Sequence, residues 1–216
     1  MNFTQNTASN KIVCVGRNYA DHAAELNNPI PDEPVLFIKP WTSICPLEGE
    51  IEIPKIWGEV HHELEIAFVI GEKLSNSTPQ EIMSAITGIG LALDLTLREV
   101  QTQLKEKKYS WEKSKSFDKA CPIECIPFKA TESAIAELSL SLSINGETKQ
   151  QGNTQSMLFK PVELIAHINE WFTLLPGDIV LTGTPAGVGA LKNGDILESC
   201  LKIKNEKVLQ VSSTII

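Results

Sequence analysis

The sequence lacks the features of secreted and membrane-spanning proteins. Residues 1–10, MNFTQNTASN, contain no basic residue and no apolar core, so they resemble neither a signal peptide nor a transit peptide. No apolar run reaches the roughly 20 residues of a bilayer span. The five cysteines include no C-x-x-C pair, and the spacing of Cys121 and Cys125 fits neither a zinc ribbon nor a thioredoxin-like motif. We therefore expect reduced thiols in a cytoplasmic protein without a membrane partner.

Basic residues are scarcer than acidic ones. The 216 residues include 27 Asp and Glu against 19 Lys and Arg, for a formal net charge of −8. A surface of that sign repels phosphate backbones, so nucleic acid is not an expected partner. The sequence also lacks internal repeats, low-complexity segments and a recognisable linker. We predict a flexible polar tail over residues 1–10 and a single catalytic domain over residues 11–216.

What is present is a series of short apolar segments that alternate with polar ones. Strands are predicted at 11–15, 35–39, 50–54, 64–70, 88–96, 178–184, about 195–204 and 207–215. Residues 138–152 predict a hairpin, because Asn145-Gly146 is a typical type I′ turn. Helices are predicted at 20–27, from Ser77 or Thr78 to Ile86, at 97–108 and at 160–172. Strands dominate and no regular βαβ alternation occurs, which favours an α+β, mainly β fold of the sandwich or roll type.

Three carboxylates suggest a metal site. The alternation of Leu64, Ile66, Phe68 and Ile70 predicts a strand with one buried face, which places Glu63 and Glu65 together on the other face. A Glu-x-Glu pair on a solvated strand face is the plainer reading, but Asp94 lies in the most apolar segment, where an unpaired carboxylate is rare. Carboxylates without a suitable cysteine or histidine set indicate a hard cation, Mg²⁺ or Mn²⁺.

The other candidate residues each allow a non-functional interpretation on local sequence alone. His22 and Glu25 would share a helix face, either as a surface pair or as a general base oriented by a carboxylate. Lys115, in a lysine-rich stretch, is by its local sequence a solvated charge. The glycine-rich residues 182–189 lack the end of a P-loop. They form either a tight turn or a set of backbone N–H groups that bind a carboxylate.

Taken together, the motifs resemble those of the fumarylacetoacetate hydrolase superfamily, in particular its short acylpyruvase-like and oxaloacetate decarboxylase-like members. The motifs, in chain order, are VGRNYADHAAE, EPVLFIKP, HHELE, LALDLTLREVQ, the KSFD stretch and GDIVLTGTPAGVG. They cover the chain from about residue 11 to about residue 200. The resemblance implies a mixed β-sandwich roll and a homodimer.

The resemblance also implies roles for individual residues. The Mg²⁺ ligands would be Glu63, Glu65 and Asp94, with Mn²⁺ as a possible substitute. A water-activating dyad would be His22 and Glu25, on a segment (20–27) that orders over the ligand. Lys115 would lie near the oxygen atoms of the substrate. Residues that contact the substrate or support the site would be Arg17, Arg98, Gln101 and Thr184.

The activity expected first is hydrolysis of an acylpyruvate, a small 2-oxo acid, by carbon–carbon bond cleavage through a metal-stabilised enolate. Three alternatives stay open. Oxaloacetate decarboxylation needs the same enolate, and keto–enol tautomerisation, or isomerisation of 2-hydroxyhepta-2,4-diene-1,7-dioate, needs only proton transfer. A β-sandwich that binds Ca²⁺ for structure would need no catalysis.

Overall fold

The computed structural model describes residues 11–25 and 29–216, and the predicted tail at 1–10 lies outside them. The strands are β1 (Lys11–Gly16), β2 (Val35–Pro40), β3 (Ile44–Pro46), β4 (Gly49–Ile51), β5 (Val60–His62), β6 (Leu64–Ile70), β7 (Ile86–Leu93), β8 (Thr96–Leu97), β9 (Cys121–Pro127), β10 (Leu138–Ile144), β11 (Glu147–Asn153), β12 (Ile179–Leu181), β13 (Gly189–Ala190), β14 (Ile196–Ile203) and β15 (Glu206–Ile215). The helices are α1 (Ala20–Glu25), α2 (Pro79–Ala85), α3 (Arg98–Glu106), α4 (Glu112–Lys115), α5 (Glu132–Ala136) and α6 (Pro161–Trp171).

The strands form three sheets, which confirms the mainly β prediction. A seven-stranded sheet has the order β2-β1-β12-β6-β7-β9-β3, and a five-stranded sheet has the order β11-β10-β14-β15-β4. A third sheet of β13, β5 and β8 contains short strands only. The large sheet is mixed, because β1 pairs with β12 and β3 pairs with β9 in parallel, while its other pairs are antiparallel.

The prediction that β6 has one solvated face is wrong. All seven of its residues are buried. Leu64, Ile66 and Phe68 share the main core with residues of the five-stranded sheet, and Ala67 and Val69 belong to a second apolar cluster on the opposite face. Alternation alone could not show this second cluster, because distant segments supply its other members. The carboxylates of that face therefore lie inside the protein.

Local signals located several elements well. Thr78 is the N-cap of α2 and forms a capping box with Glu81, and Pro79 is its first residue. Asn145 and Gly146 have φ values of 54° and 82°, as the predicted type I′ turn requires. The long α6 begins at Pro161 as predicted.

Other boundaries differ from the predictions. The predicted strand at 88–96 ends at Leu93, so that Asp94 follows the strand. The predicted helix at 20–27 is observed over Ala20–Glu25, and residues 26–28 are not among those described. Strand β9 was not predicted, and neither were several of the two- and three-residue strands. Among the described residues, no helix combines the length and the apolar character needed to cross a bilayer.

Candidate metal and substrate site

The three candidate ligands meet where β6 and β7 pair. Glu63 precedes β6, Glu65 is its second residue, and Asp94 follows β7. The antiparallel register sets Leu64 opposite Leu93, and the backbone N–H of Asp94 donates to the carbonyl of Glu63 over 2.8 Å. One oxygen of each carboxylate lies within 4.8 Å of the others. The side chains that the sequence placed apart, at 63, 65 and 94, thus form one cluster.

The Lys115 ammonium lies within this cluster. Its Nζ donates to Glu63 Oε2 over 2.7 Å and to Asp94 Oδ2 over 2.6 Å. Lys115 is only 3% exposed, so the local reading of a solvated lysine is wrong. The reason is α4, whose last residue points into the cavity while Lys113, in the same helix, is exposed. Lysines two residues apart therefore have opposite environments.

A second buried lysine was missed. Lys39, in β2, is 0% exposed, and its Nζ lies 2.8 Å from Asp94 Oδ1. The same ammonium donates to the carbonyl of Ala120 over 3.0 Å and to the carbonyl of Lys115. It thereby ties the end of α4 to β2 and Asp94. The sequence does contain a signal for this buried lysine, because Lys39 belongs to the apolar run VLFIK. A lysine in such a segment is almost never fully buried without partners, so its position indicates a buried carboxylate nearby.

Arg98 and Gln101 lie on the first turn of α3. The Arg98 guanidinium donates to Glu63 Oε1, and its Nη1 donates to Gln101 Oε1 over 2.7 Å. This arrangement gives Glu63 two cationic partners. Burial raises the pKa of Glu63, but Lys115 and Arg98 outweigh that effect and hold the pKa below its ordinary value.

Glu65 and Asp94 have acceptor capacity that the protein does not use. Burial, followed by the charge of Asp94, raises the pKa of Glu65 well above its ordinary value. A backbone N–H, that of Gly183, donates to Glu65 Oε2 over 2.7 Å. Asp94 Oδ1 is buried and lies 2.8 Å from Lys39 Nζ, in an ion pair that lacks hydrogen-bond geometry. Oxygen atoms that are this close, buried and incompletely compensated fit a hard divalent cation.

His22 and Glu25 form the predicted pair on α1. His22 Nδ1 lies 3.3 Å from Glu25 Oε2, and the imidazole is buried. Burial lowers the pKa of His22 below its ordinary value of 6.5, and Glu63 and Glu25 oppose that shift. The backbone N–H of Gly187 donates to both Glu25 oxygens, over 3.0 and 3.2 Å. The carboxylate is thus held in place from a distant part of the chain.

The glycine-rich residues 182–189 combine both of their predicted readings. Gly183 and Gly187 have φ values of 87° and 97°, and a Cβ at Gly187 would lie 1.9 Å from the carbonyl oxygen of Lys149. Glycine is therefore required at a tight turn there. Their N–H groups bind carboxylates, but these belong to the protein itself, to Glu65 and Glu25.

Thr184 has a supporting geometry. Its hydroxyl donates to the carbonyl of Leu64 over 2.8 Å and accepts from Gln150 Nε2 over 2.7 Å. Gln150 Oε1 in turn accepts from the backbone N–H of Leu64 over 2.9 Å and lies 3.0 Å from His62 Nδ1. Gln150 was not predicted. His62 therefore contacts Gln150, away from the carboxylate cluster.

One cavity unites nearly all of the predicted residues. Nine of the ten line it, and the tenth, Glu25, contacts His22. Residues that line it without having been predicted are Val15, Gly16, Phe37, Lys105 and Trp111. Its volume of about 30 Å³ accommodates an ion or a water molecule. A larger cavity of about 780 Å³ near Trp57 is mostly apolar and contains no buried charged residue.

The class that the fold and the site define is a mainly β protein in which three carboxylates able to hold a metal ion, an ammonium group and a His–Glu pair lie at one cavity. The sequence profile of the fumarylacetoacetate (FAA) hydrolase C-terminal family matches residues 11–214. The chain therefore belongs to the fumarylacetoacetate hydrolase family and is an enzyme of that family.

Two relatives indicate where in the family the chain lies. It is 50% identical over 188 residues to the Escherichia coli protein named oxaloacetate tautomerase YcgM, covering 87% of this chain and 86% of that one. It is 43% identical over 189 residues to the mitochondrial oxaloacetate decarboxylase of Dictyostelium discoideum, covering 87% of each. These names favour the alternative readings over acylpyruvate hydrolysis, which was expected first.

Two crystal structures share the fold. A protein from Oleispira antarctica has a TM-score of 0.94 and 52% identity, over 96% of this chain and 94% of that one. A fumarylpyruvate hydrolase from Pseudomonas aeruginosa, in complex with Mn²⁺ and pyruvate, has a TM-score of 0.85 and 27% identity, over 99% and 93% of the two chains. The predicted fold is confirmed, and one protein of this fold binds a divalent metal.

Proposed function

We propose that this protein catalyses the keto–enol tautomerisation of oxaloacetate with a divalent cation, Mg²⁺ or Mn²⁺. The observation that carries the proposal is the cavity itself, in which a His–Glu pair lies beside three buried carboxylates and a lysine. Tautomerisation needs a base for a carbon-bound proton and a donor for the carbonyl oxygen. The relative named oxaloacetate tautomerase supports this choice of reaction.

Glu63, Glu65 and Asp94 would hold the cation. When bound, it would supply Lewis acidity towards the carboxylate and the 2-oxo oxygen of the substrate. Lys39 stays with Asp94 Oδ1 because two carbonyls anchor its ammonium. Lys115, by contrast, bridges two carboxylates and must leave at least one of them when a cation takes its position.

His22 would move the proton. Glu25 contacts Nδ1, which leaves Nε2 to accept the proton from C3 of oxaloacetate. The electron pair of the C–H bond then moves towards the C2 oxygen, where negative charge develops. The Lys115 ammonium, released from a carboxylate, would donate a hydrogen bond to that oxygen and stabilise the charge. The Lys115 ammonium would then give a proton to that oxygen, which completes the enol, and the proton that His22 took from C3 would return to Lys115 through solvent.

The contacts of Glu25 suit an orienting role. The Gly187 N–H, shared between its two oxygens, holds it, which would keep the imidazole in one ring orientation and one tautomer. The pKa of His22, lowered by burial, leaves the ring neutral at pH 7. A neutral imidazole is the form that a general base requires.

Oxaloacetate decarboxylation is the second candidate, because a relative at 43% identity carries that name. Loss of CO₂ needs the same charge stabilisation at the C2 oxygen but no base at C3. Acylpyruvate hydrolysis needs His22 to act on water instead. These reactions share binding groups and differ in what His22 does.

The test incubates purified protein with oxaloacetate or acetylpyruvate, with Mg²⁺ or with a chelator. Enol absorbance and pyruvate release are followed separately. Enol interconversion faster than pyruvate release, and lost with the chelator, is the expected result. Pyruvate release from oxaloacetate without faster enol exchange would replace tautomerisation by decarboxylation. Turnover of neither compound would contradict the proposal and would favour a cation site with a purely structural role.

Assembly and location remain predictions. We propose a homodimer, which sedimentation at micromolar concentration tests directly. The cytoplasmic location also stays open to test, because several eukaryotic relatives are named as mitochondrial. We expect no nucleic-acid or membrane partner on the basis of charge and sequence alone.

A further inference from the structure

Two cations in the cavity have no carboxylate partner. Lys105, on the last turn of α3, and Arg17, after β1, both line the cavity and are partly buried. Among residues 11–25 and 29–216, neither side chain forms an ion pair. Arg98 and Lys115, the other two cations that line it, are paired with Glu63 and Asp94. Among the cations that line the cavity, unpaired positive charge is therefore confined to the wall formed by Arg17 and Lys105.

Trp111 organises this wall. Lys105 Nζ lies 5.5 Å from the centroid of a Trp111 ring, a cation–π contact. A Cβ at Gly16 would lie 3.2 Å from the same indole, so the end of β1 packs close to Trp111. The indole thus lies against both the end of β1 and Lys105, which brings the segment that carries Arg17 towards the last turn of α3.

The electrostatics of Lys105 agree with this geometry. Burial, followed by the charges of Arg17, Arg98 and Lys115, lowers the pKa of Lys105 to about 8. An ammonium surrounded by other cations is stabilised by an anion. Arg17 also adopts a φ of 62°, in the left-handed region that a residue with a side chain rarely occupies. Such backbone strain is concentrated at functional sites.

We infer that Arg17 and Lys105 form a second anion subsite, which binds the distal carboxylate of the substrate and makes the protein selective for 2-oxo dicarboxylates. This inference rests on the proposed function, since the other end of the substrate must bind at the carboxylate cluster. A monocarboxylate would leave both cations uncompensated after burial. A dicarboxylate would compensate them through charge-assisted hydrogen bonds.

A pair of unreactive ligands measures the contribution of the distal carboxylate to binding. Malate and 2-hydroxybutanoate both offer a carboxylate and a 2-hydroxyl group to a cation, and they differ only in a terminal carboxylate or methyl group. Calorimetry with Mg²⁺-loaded protein would measure both affinities for each enantiomer. Since hydrogen bonds to charged groups are each worth a factor of about ten or more, malate should bind at least about tenfold more tightly.

Lys105→Met should reduce the preference for malate over 2-hydroxybutanoate to within about threefold. The affinity for 2-hydroxybutanoate should not fall, because hydrogen bonds between charged groups are lost only for malate. Lys105→Arg should retain most of the preference. Lys107→Met is the matched control, because Lys107 is exposed at the end of the same helix. Equal thermal unfolding midpoints would show that all of the variants fold.

The outcomes are distinct. Equal affinity for the two ligands in the wild type would overturn the second subsite and leave the proposed function intact. An unchanged preference in Lys105→Met would overturn the role of Lys105. If neither ligand bound the Mg²⁺-loaded protein, both the subsite and the proposed binding of substrate at the cation would be contradicted.

Discussion

Lys115 Nζ and Asp94 Oδ2 lie 2.6 Å apart inside the protein, where the start of β6 and the end of β7 bring all three candidate metal ligands together. The same ammonium contacts Glu63 over 2.7 Å. A positive charge of the protein thus occupies the space between two carboxylates that a divalent cation would share. Asp94 and Glu63 outweigh the effect of burial on Lys115 and hold its pKa above the ordinary value. We therefore predict that metal binding is coupled to the position of Lys115.

Replacing Lys115 by methionine should raise Mg²⁺ affinity in the absence of substrate and lower turnover. Since a unit charge about 4 Å from a cation acts with several kcal/mol at an effective dielectric constant of about 20, affinity should rise at least about tenfold. Calorimetry gives the affinity, and enol exchange of oxaloacetate gives the turnover. Lys113→Met, in the exposed part of the same helix, should change neither. An unchanged affinity in Lys115→Met would mean that the ammonium does not compete with the cation.

Glu65→Gln should weaken Mg²⁺ binding at least about tenfold, because a ligand charge is lost, yet it should stabilise the protein without metal. Burial and Asp94 raise the pKa of Glu65 above 4.5, so the folded state binds more protons than the unfolded state. The free energy of unfolding of the wild type therefore falls as pH rises from 4.5 towards the folded-state pKa. The variant should lack this fall.

Denaturant titrations between about pH 5 and 8, with a chelator, would measure the free energy of unfolding of Glu65→Gln and the wild type. Added Mg²⁺ should remove the difference in slope by compensating the Glu65 charge. Parallel curves with chelator would show that Glu65 is not an uncompensated charge in the folded state.

His22→Gln should reduce enol exchange of oxaloacetate by about 10²–10⁴-fold, the usual contribution of a positioned general base. Decarboxylation should fall less, and Mg²⁺ affinity should hardly change, because His22 contacts none of the three carboxylates within hydrogen-bond distance. Since burial lowers the pKa of His22, kcat/KM of the wild type should fall only below pH 6.5. If kcat/KM of His22→Gln still fell at low pH as in the wild type, the group that titrates would not be His22.

Lys39→Met should destabilise the protein strongly. It leaves Asp94 with one cation fewer and removes a donor from the buried carbonyls of Lys115 and Ala120, of which the Ala120 carbonyl still accepts from the N–H of Leu95 over 3.0 Å. Removing one partner of a buried ion pair typically costs about 3–5 kcal/mol. Lys119→Met is the control, since Lys119 pairs with Glu52 over 2.8 Å at the surface, where ion pairs contribute little. Equal denaturation midpoints for the two variants would contradict a structural role for Lys39.

Some of this protein follows from local sequence. The capping box of α2 and the turn at Asn145-Gly146 depend on a few neighbouring residues, so composition and spacing predict them. Glu63 and Glu65 lie two positions apart at the start of β6, a spacing that places side chains on the same side of an extended chain. The ordered motifs of the whole chain indicated the family and, through it, the ten candidate residues. Their catalytic roles remain predictions.

Other features depend on contacts between distant segments. The burial of Lys39 and Lys115 arises because β2 and α4 pack against Asp94, 55 and 21 positions away in the chain. Glu25 is held by a backbone 162 positions further on. A local sequence pattern cannot predict contacts between residues so far apart in the chain. Strand register and the burial of apolar surfaces determine them. The sequence by itself therefore determined which side chains could form a site. Only the packing of the tertiary structure decided which charges pair there and which, at Arg17 and Lys105, remain unpaired.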